Sequence, residues 1–294
     1  MLHHFVRNSR SRGRQEEALD PMDPLSTFRE RFGAPRALVG MLHVGALPGT
    51  PAAREPVERL MEQTVREARI YRDAGFTALA LENMHDRPYL KGGVGPEITA
   101  AMTAVAREVK RETGLALGIQ VLAAANREAL AVALACGADF VRVEGYVFAH
   151  VADEGIIESC AGELLRYRRT IGADRVLVFA DIKKKHGAHA ITGDVSLAAT
   201  AKAAELFLAD GVIVTGAASG EETSPDEVRD TARAVGLPVL VGSGITVGNL
   251  TCYADAHGFI VGSSLKQGGL WSNPLDRAAV ESLARAFAGL PPRG

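Results

Sequence analysis

The chain has 294 residues, 47% apolar, 5% aromatic and 23% charged, with a formal net charge of −2 at pH 7. That length and apolar content suit one large α/β domain with an aliphatic core, and the near-neutral charge removes the global electrostatic case for a nucleic-acid partner. No apolar run reaches the roughly 18 residues of a membrane span, and Cys136, Cys160 and Cys252 are too scattered for a disulfide framework or a C-x-x-C motif, so a reducing cytoplasm is the expected setting.

Residues 1–24 differ from the rest of the chain. Arg7, Arg10, Arg12 and Arg14 stand among Ser, Gly and Asn behind His3 and His4, with no apolar signal-peptide core. This reads as a disordered basic arm, chiefly a solvated tail, ahead of a single domain over 25–294. Met22, just before Asp23 and Pro24, is a candidate alternative translation start.

The first strand is expected at 37–44, followed by a helix from near Pro56 with Val57, Leu60, Met61, Thr64, Ala68 and Tyr71 on one face and Gly75 as its stop. The second strand, 76–83, leads through a polar loop to Pro96 and a helix with a stripe of Ile98, Met102, Val105 and Val109. The third strand spans 115–122 and its helix 126–136; the fourth strand is 140–145. The stretch 146–159 reads as a long loop, a lid or a binding loop. A helix at 161–171, a fifth strand at 175–182 and a polar loop at 183–193 precede Asp194, which reads as the N-cap of a helix running through Leu208.

The sixth strand is 211–216, and Ser224 with Pro225 opens the helix behind it. The seventh and eighth strands, 239–245 and 258–265, each run into glycine and serine and then into a segment that can be helical. Asn273 and Pro274 are expected to open the last helix, with Val280, Leu283, Ala284 and Phe287 inward. These strands are continuous aliphatic runs, the mark of parallel strands covered on both faces. Eight strand-helix units in about 250 residues give a (β/α)8 TIM barrel. A G-x-G-x-x-G fingerprint is missing after the first strand, which ranks an open dinucleotide-binding sheet lower.

Function in such a barrel collects at the C-terminal strand ends. Polar residues fall there in register: His43; Glu82 and Asn83; Gln120; Arg142 and Glu144; Asp181 with Lys183, Lys185 and His186 beyond it; Thr215; Ser243; Ser263 and Ser264. A buried charge is costly unless paired, so the row argues for function. Bland readings stand beside it. Arg142 with Glu144, and Asp181 with Lys183, each fit a structural ion pair; His43 fits a satisfied core histidine; His85, His186 and His189 fit solvated loops. Acid and lysine together at a barrel mouth suit proton transfer beside a carbonyl, or Schiff-base formation. Gly242-Ser243-Gly244 and Gly262-Ser263-Ser264 read as a phosphate cradle, because small residues let backbone N–H groups approach an anion. No tight metal-ligand spacing occurs, so no cofactor is assigned; a divalent metal at His43, Glu82, Asp181 and His186 is the alternative left open.

The stretch from Val39-Gly40-Met41-Leu42-His43-Val44-Gly45 through Pro51 resembles the opening signature of the BtpA family, also called BtpA/SgcQ. Glu82-Asn83, Arg142-Val143-Glu144-Gly145, Asp181-Ile182-Lys183-Lys184-Lys185-His186, Gly242-Ser243-Gly244 and Val261-Gly262-Ser263-Ser264-Leu265-Lys266 fit it too, so the resemblance covers about 35–288. It implies a ribulose-phosphate-binding type of barrel with a phosphate cradle, and no particular reaction. The family is named for a cyanobacterial protein needed for photosystem I accumulation; other members occur without photosynthesis, some near sugar-uptake genes. The family pattern holds Lys185 and His186 more firmly than Lys183, leaving the active lysine open between Lys183 and Lys185.

Three functions are weighed. The first is an enzyme on a phosphorylated small metabolite, such as a sugar phosphate or nucleotide-like compound, by isomerase, aldol-type or lyase chemistry. Amides near Ser243, Gly244, Ser263 and Ser264 would hold the phosphate, Glu144 or Asp181 would be the base, and Lys183 or Lys185 would polarise a carbonyl or form an imine. His43 and Asn83 would orient hydroxyls, and Glu82 and His186 complete the candidate catalytic set. The second is a peripheral assembly factor for a membrane photosystem, which rests on the family name. The third is a phosphometabolite-binding regulator without chemistry. Homo-oligomerisation stays open, with Trp271 as a candidate interface residue.

Overall fold

The computed structural model describes residues 23–184, 186–216, 222–291 and 293. The basic arm up to Met22, and Lys185, lie outside the described residues. In chain order the strands are β1 (Ala37–His43), β2 (Ala78–Glu82), β3 (Ala116–Gln120), β4 (Phe140–Val143), β5 (His150–Ala152), β6 (Gly155–Ile157), β7 (Leu177–Ile182), β8 (Gly187–Ala188), β9 (Gly211–Val214), β10 (Val239–Val241) and β11 (Gly258–Val261). The α-helices are α1 (Pro24–Phe32), α2 (Val57–Ala74), α3 (Pro96–Thr113), α4 (Asn126–Cys136), α5 (Ala161–Thr170), α6 (Leu197–Leu206), α7 (Pro225–Ala234) and α8 (Arg277–Ala288). Eight parallel strands close in the order β1-β11-β10-β9-β7-β4-β3-β2, which is the TIM barrel.

Two buried clusters explain the unbroken aliphatic strands. Successive side chains on a strand point to opposite faces. Val39, Met41, Ala78, Ala80, Phe140, Phe179, Ile213, Leu240 and Ile260 pack inside the barrel. Their neighbours Leu38, Leu42, Leu79, Leu81, Val141 and Val178 pack outward among the helices. Inside, large and small residues alternate: a Cβ at Gly118 would overlap the ring of Phe140, and one at Gly211 the ring of Phe179.

The floor of the barrel holds a helix that the sequence reading did not foresee. Asp23 caps α1 by accepting from the Ser26 N–H at 3.2 Å, Pro24 takes the first turn, and Gly33 ends the helix at φ 68°. Phe28 and Phe32 seal the N-terminal opening, with the Phe32 ring 5.6 Å from Phe140 and the Phe28 ring 6.3 Å from Phe179.

Several boundaries differ from expectation. Ser196, not Asp194, caps α6, because its hydroxyl is the one that reaches the Ala199 N–H, at 3.1 Å. Asp276, not Asn273, caps α8; the Asn273 amide donates instead to the Gln267 carbonyl at 2.9 Å. The segments after β10 and β11 form the 3₁₀ turns Leu250–Tyr253, Ser263–Leu265 and Gln267–Gly269, not α-helix N-termini. The long loop after β4 is a hairpin of β5 and β6, and β8 joins it in a three-stranded antiparallel sheet. Among the described residues, no helix is long and apolar enough to cross a membrane.

Candidate functional site at the barrel mouth

β1, β2 and β3 end level, with His43 opposite Glu82 and Glu82 opposite Gln120. The inward face that carries Met41, Ala80 and Gly118 deeper in the barrel therefore ends in three polar side chains side by side. His43 Nδ1 lies 3.1 Å from the Trp271 carbonyl. A carbonyl only accepts, so this nitrogen carries the proton. Nε2 faces Glu82 Oε2 at 3.8 Å.

The charges pair across strands, not along them. Arg142 meets Asp181 on neighbouring β7 through Nη2 at 2.9 Å and Nε at 3.0 Å, and both side chains are buried. Glu144 takes Lys184 at 3.0 Å, the Ala124 N–H at 3.0 Å and the Gln120 amide at 3.3 Å. The expected pairs of Arg142 with Glu144 and of Asp181 with Lys183 give way to these. Lys183 takes φ 47°, which breaks the strand alternation. Its ammonium donates to the Thr192 carbonyl at 3.1 Å, and Lys184 enters the mouth in its place. Burial alone would lower the Arg142 pKa, but Asp181, Glu82 and Glu144 outweigh it and hold the guanidinium charged.

The mouth has two lobes that share Glu82, Met84 and Arg142. The first, about 230 Å3, is walled by residues 243–246 behind β10 and 262–264 behind β11, with His43 opposite. Among the described residues, the backbone N–H groups of Gly244, Ser263 and Ser264 have no hydrogen-bond acceptor. The Ser264 hydroxyl donates to the Ile245 carbonyl at 2.7 Å and locks the two loops together. Gly244 sits at φ 69°, and a Cβ at Gly242 would lie 2.7 Å from the Ile213 side chain. The cradle thus stands on oriented amides; the short 3₁₀ turns supply little helix dipole.

The second lobe, about 260 Å3, is walled by Gln120, Glu144, Asp181, Lys184 and His186, by Asp153 and Glu154 from the β5–β6 turn, and by Trp271. The Trp271 ring has the Arg87 guanidinium 5.0 Å from its centre and the His85 ring 4.9 Å away. Burial, and then Lys266 and Arg87, lower the His85 pKa.

His43, Glu82 and all six predicted cradle residues therefore meet at the first lobe, and Glu82, Glu144, Asp181 and His186 at the second. Lys183 lies apart, in a void of about 20 Å3 beside His150 and His189. Asn83 lines neither lobe. Its carbonyl accepts from the Leu122 N–H at 2.7 Å and its amide donates to Asp86 at 2.9 Å. Asp86 in turn accepts from the Leu47 N–H at 2.7 Å, so this pair staples the loops after β1, β2 and β3. The sequence reading assigned no role to Lys184, Asp86 or Gln120. Gln120 was visible as a strand-end polar residue, whereas the Lys183 backbone reversal has no sequence signal. Among the described residues, no group of three or more His, Cys, Asp or Glu is placed to hold a metal ion.

Comparison with known proteins bears on the family and the fold. The family model described as the BtpA family matches residues 34–289. An uncharacterized Caenorhabditis elegans protein, named as mitochondrial, is 46% identical over 251 residues, 84% of this chain and 91% of that protein. The photosystem I biogenesis protein BtpA of Synechocystis is 33% identical over 272 residues, 91% of this chain and 92% of that protein. Among solved structures, thiamine phosphate pyrophosphorylase from Pyrococcus furiosus matches with a TM-score of 0.54 and 16% identity, covering 86% of this chain and 96% of that one. At that identity the likeness bears on the fold alone.

Proposed function

The chain belongs to the BtpA family, and from that premise we propose that it is an enzyme acting on a phosphorylated small metabolite by isomerase or lyase chemistry. The observation that carries the reading is the pairing of an amide-lined lobe with an acid-base lobe in one cavity mouth. The phosphate would lie against the Gly244, Ser263 and Ser264 amides, where binding energy far from the reacting bond fixes its position. Asp181 and Glu144 are neutralised by Arg142 and Lys184, so the proton-transfer pair is Glu82 with His43. Arg142, held charged and touching both lobes, would stabilise the negative charge that develops on a carbonyl oxygen. The assembly-factor reading rests on one relative's name and on no feature of the site.

Thermal melts with inorganic phosphate and a panel of sugar phosphates and nucleotides test this. Ligand at a hundred times its Kd should add about 2.7 kcal/mol of stability. Gly244→Asp and Ser263→Asp should abolish the shift while leaving the protein folded. Protection that survives both substitutions, or none from any phosphate compound, overturns the reading.

A further inference from the structure

Gln120 ends β3 inside the barrel and is 2% exposed. Its amide nitrogen donates to Glu144 Oε1. Among the described residues, its carbonyl oxygen Oε1 is buried without any hydrogen-bond partner. The amide is not free to turn over, because only its NH2 group can face a carboxylate. Glu144 is itself fixed by Lys184 and by the Ala124 N–H. The chain from Lys184 through Glu144 to Gln120 thus fixes this acceptor on a residue that lines the second lobe. An acceptor left dry and unpaired costs stability unless a ligand supplies the donor. Such a group rejects analogues that lack the donor far more strongly than an apolar wall does.

The charges around it agree. Arg142 with Asp181 and Lys184 with Glu144 cancel. That leaves Glu82, Asp153 and Glu154 against Arg87 along the same lobe. Glu82 stands level with Gln120 on the adjacent strand and adds to the negative field there. Tyr89 on the same wall reports the negative field: burial first, and then Glu82, Glu144 and Glu154, raise its phenol pKa against the opposing effect of Arg87.

We propose that Gln120 is the specificity-determining residue of the second lobe and that the substrate carries, away from its phosphate, a protonated amine that donates to Gln120 Oε1 in the negative field of Asp153 and Glu154. The substrate class is an amino-substituted phosphate monoester, with a hydroxyl the weaker substitute. This rests on the phosphate reading of the first lobe.

The test uses three series of linear phosphate monoesters, three to six carbons long and ending in an amine, a hydroxyl or a methyl group. Affinities are measured by calorimetry beside inorganic phosphate. The amine ester of best length should bind at least ten-fold more tightly than its methyl counterpart, with the hydroxyl ester between. In Gln120→Met and Gln120→Leu, checked as folded by their unliganded melting points, the amine's advantage should shrink several-fold, the carboxylates of the lobe keeping the rest. Equal affinities across the wild-type series while inorganic phosphate still binds would overturn this inference alone, and so would an advantage undiminished by both substitutions. Failure of inorganic phosphate and of every ester overturns the phosphate reading together with it.

Discussion

The two ends of this barrel solve opposite problems with the same strands. At the floor, β4 and β7 present Phe140 and Phe179 to Phe28 and Phe32 of α1, and the seal is apolar. Two residues further along, the same strands present Arg142 and Asp181, paired with each other at 2.9 Å. Burying apolar rings stabilises directly. A buried ion pair roughly offsets its own desolvation, so its presence at the mouth speaks for chemistry more than for stability. The floor should therefore carry folding energy without function, and the mouth function at little gain in folding energy.

The hardest way to break that contrast is Phe179→Ala. It removes a fully buried ring from the floor and should destabilise by about 4 kcal/mol in denaturant titration. Phosphate affinity measured well below the melting point should not change. A large loss of affinity in the folded variant would show the two ends to be coupled. At the mouth, Arg142→Met removes the guanidinium that meets the buried Asp181 carboxylate and should cost about 3 kcal/mol. Replacing both, Arg142→Met with Asp181→Leu, should restore most of that stability while the proposed turnover stays lost. If the double variant is as unstable as the single one, the pair is holding the barrel together and the contrast fails.

Each end also buries a histidine, and acid sharpens the comparison. His257 at the floor accepts from the Val239 N–H through Nδ1 at 3.1 Å. Burial, and then Arg293, Arg29 and Arg36, push its pKa down to about 3. His150 at the mouth is pushed down to about 4, by burial first and then by Lys184 and His189. Both folded values lie below the unfolded one of about 6.5, so between them the unfolded chain binds more protons and stability falls as pH falls. Each histidine should contribute a slope of about 1.4 kcal/mol per pH unit from below pH 6.5 down to its folded pKa. His257→Asn should remove the share that persists nearest pH 3, and His150→Asn the share that ends near pH 4. Unchanged acid profiles in both variants would mean that neither ring is held neutral.

The two ends were also unequally legible from sequence. Strand runs and helix faces announced the barrel because burial on both sides leaves an unbroken aliphatic signal. The mouth was half legible. His43, Glu82, Arg142 and Asp181 follow the strand alternation, so their convergence could be read from spacing. Lys184 could not, because the reversal at Lys183, φ 47°, breaks that alternation where the strand ends. Asn83 was misplaced for a different reason: a strand-end amide looks the same whether it meets a substrate or staples loops through Asp86. At the floor, α1 escaped notice because nine residues with two phenylalanines make too short a period to separate from a loop.

The smallest effects give the cleanest comparison, since they leave the buried packing and the charges of the mouth untouched. Asp23→Ala removes the cap of α1, and Ser264→Ala removes the hydroxyl that ties the loops behind β10 and β11. Each should cost about 1 kcal/mol, or about 2 °C in melting temperature for a chain of this size. Calorimetry with inorganic phosphate separates them. Losing the cap loosens a helix that touches only the floor, so phosphate should bind Asp23→Ala as it binds the wild type. Losing the tie lets the Ser263 and Gly244 amides drift apart, and several donors must converge on one anion for a cradle of this kind to hold it. Ser264→Ala should therefore weaken phosphate binding several-fold at the same small cost in stability. Equal phosphate affinity in the two variants would mean that the loops behind β10 and β11 are as indifferent to the ligand as the floor is.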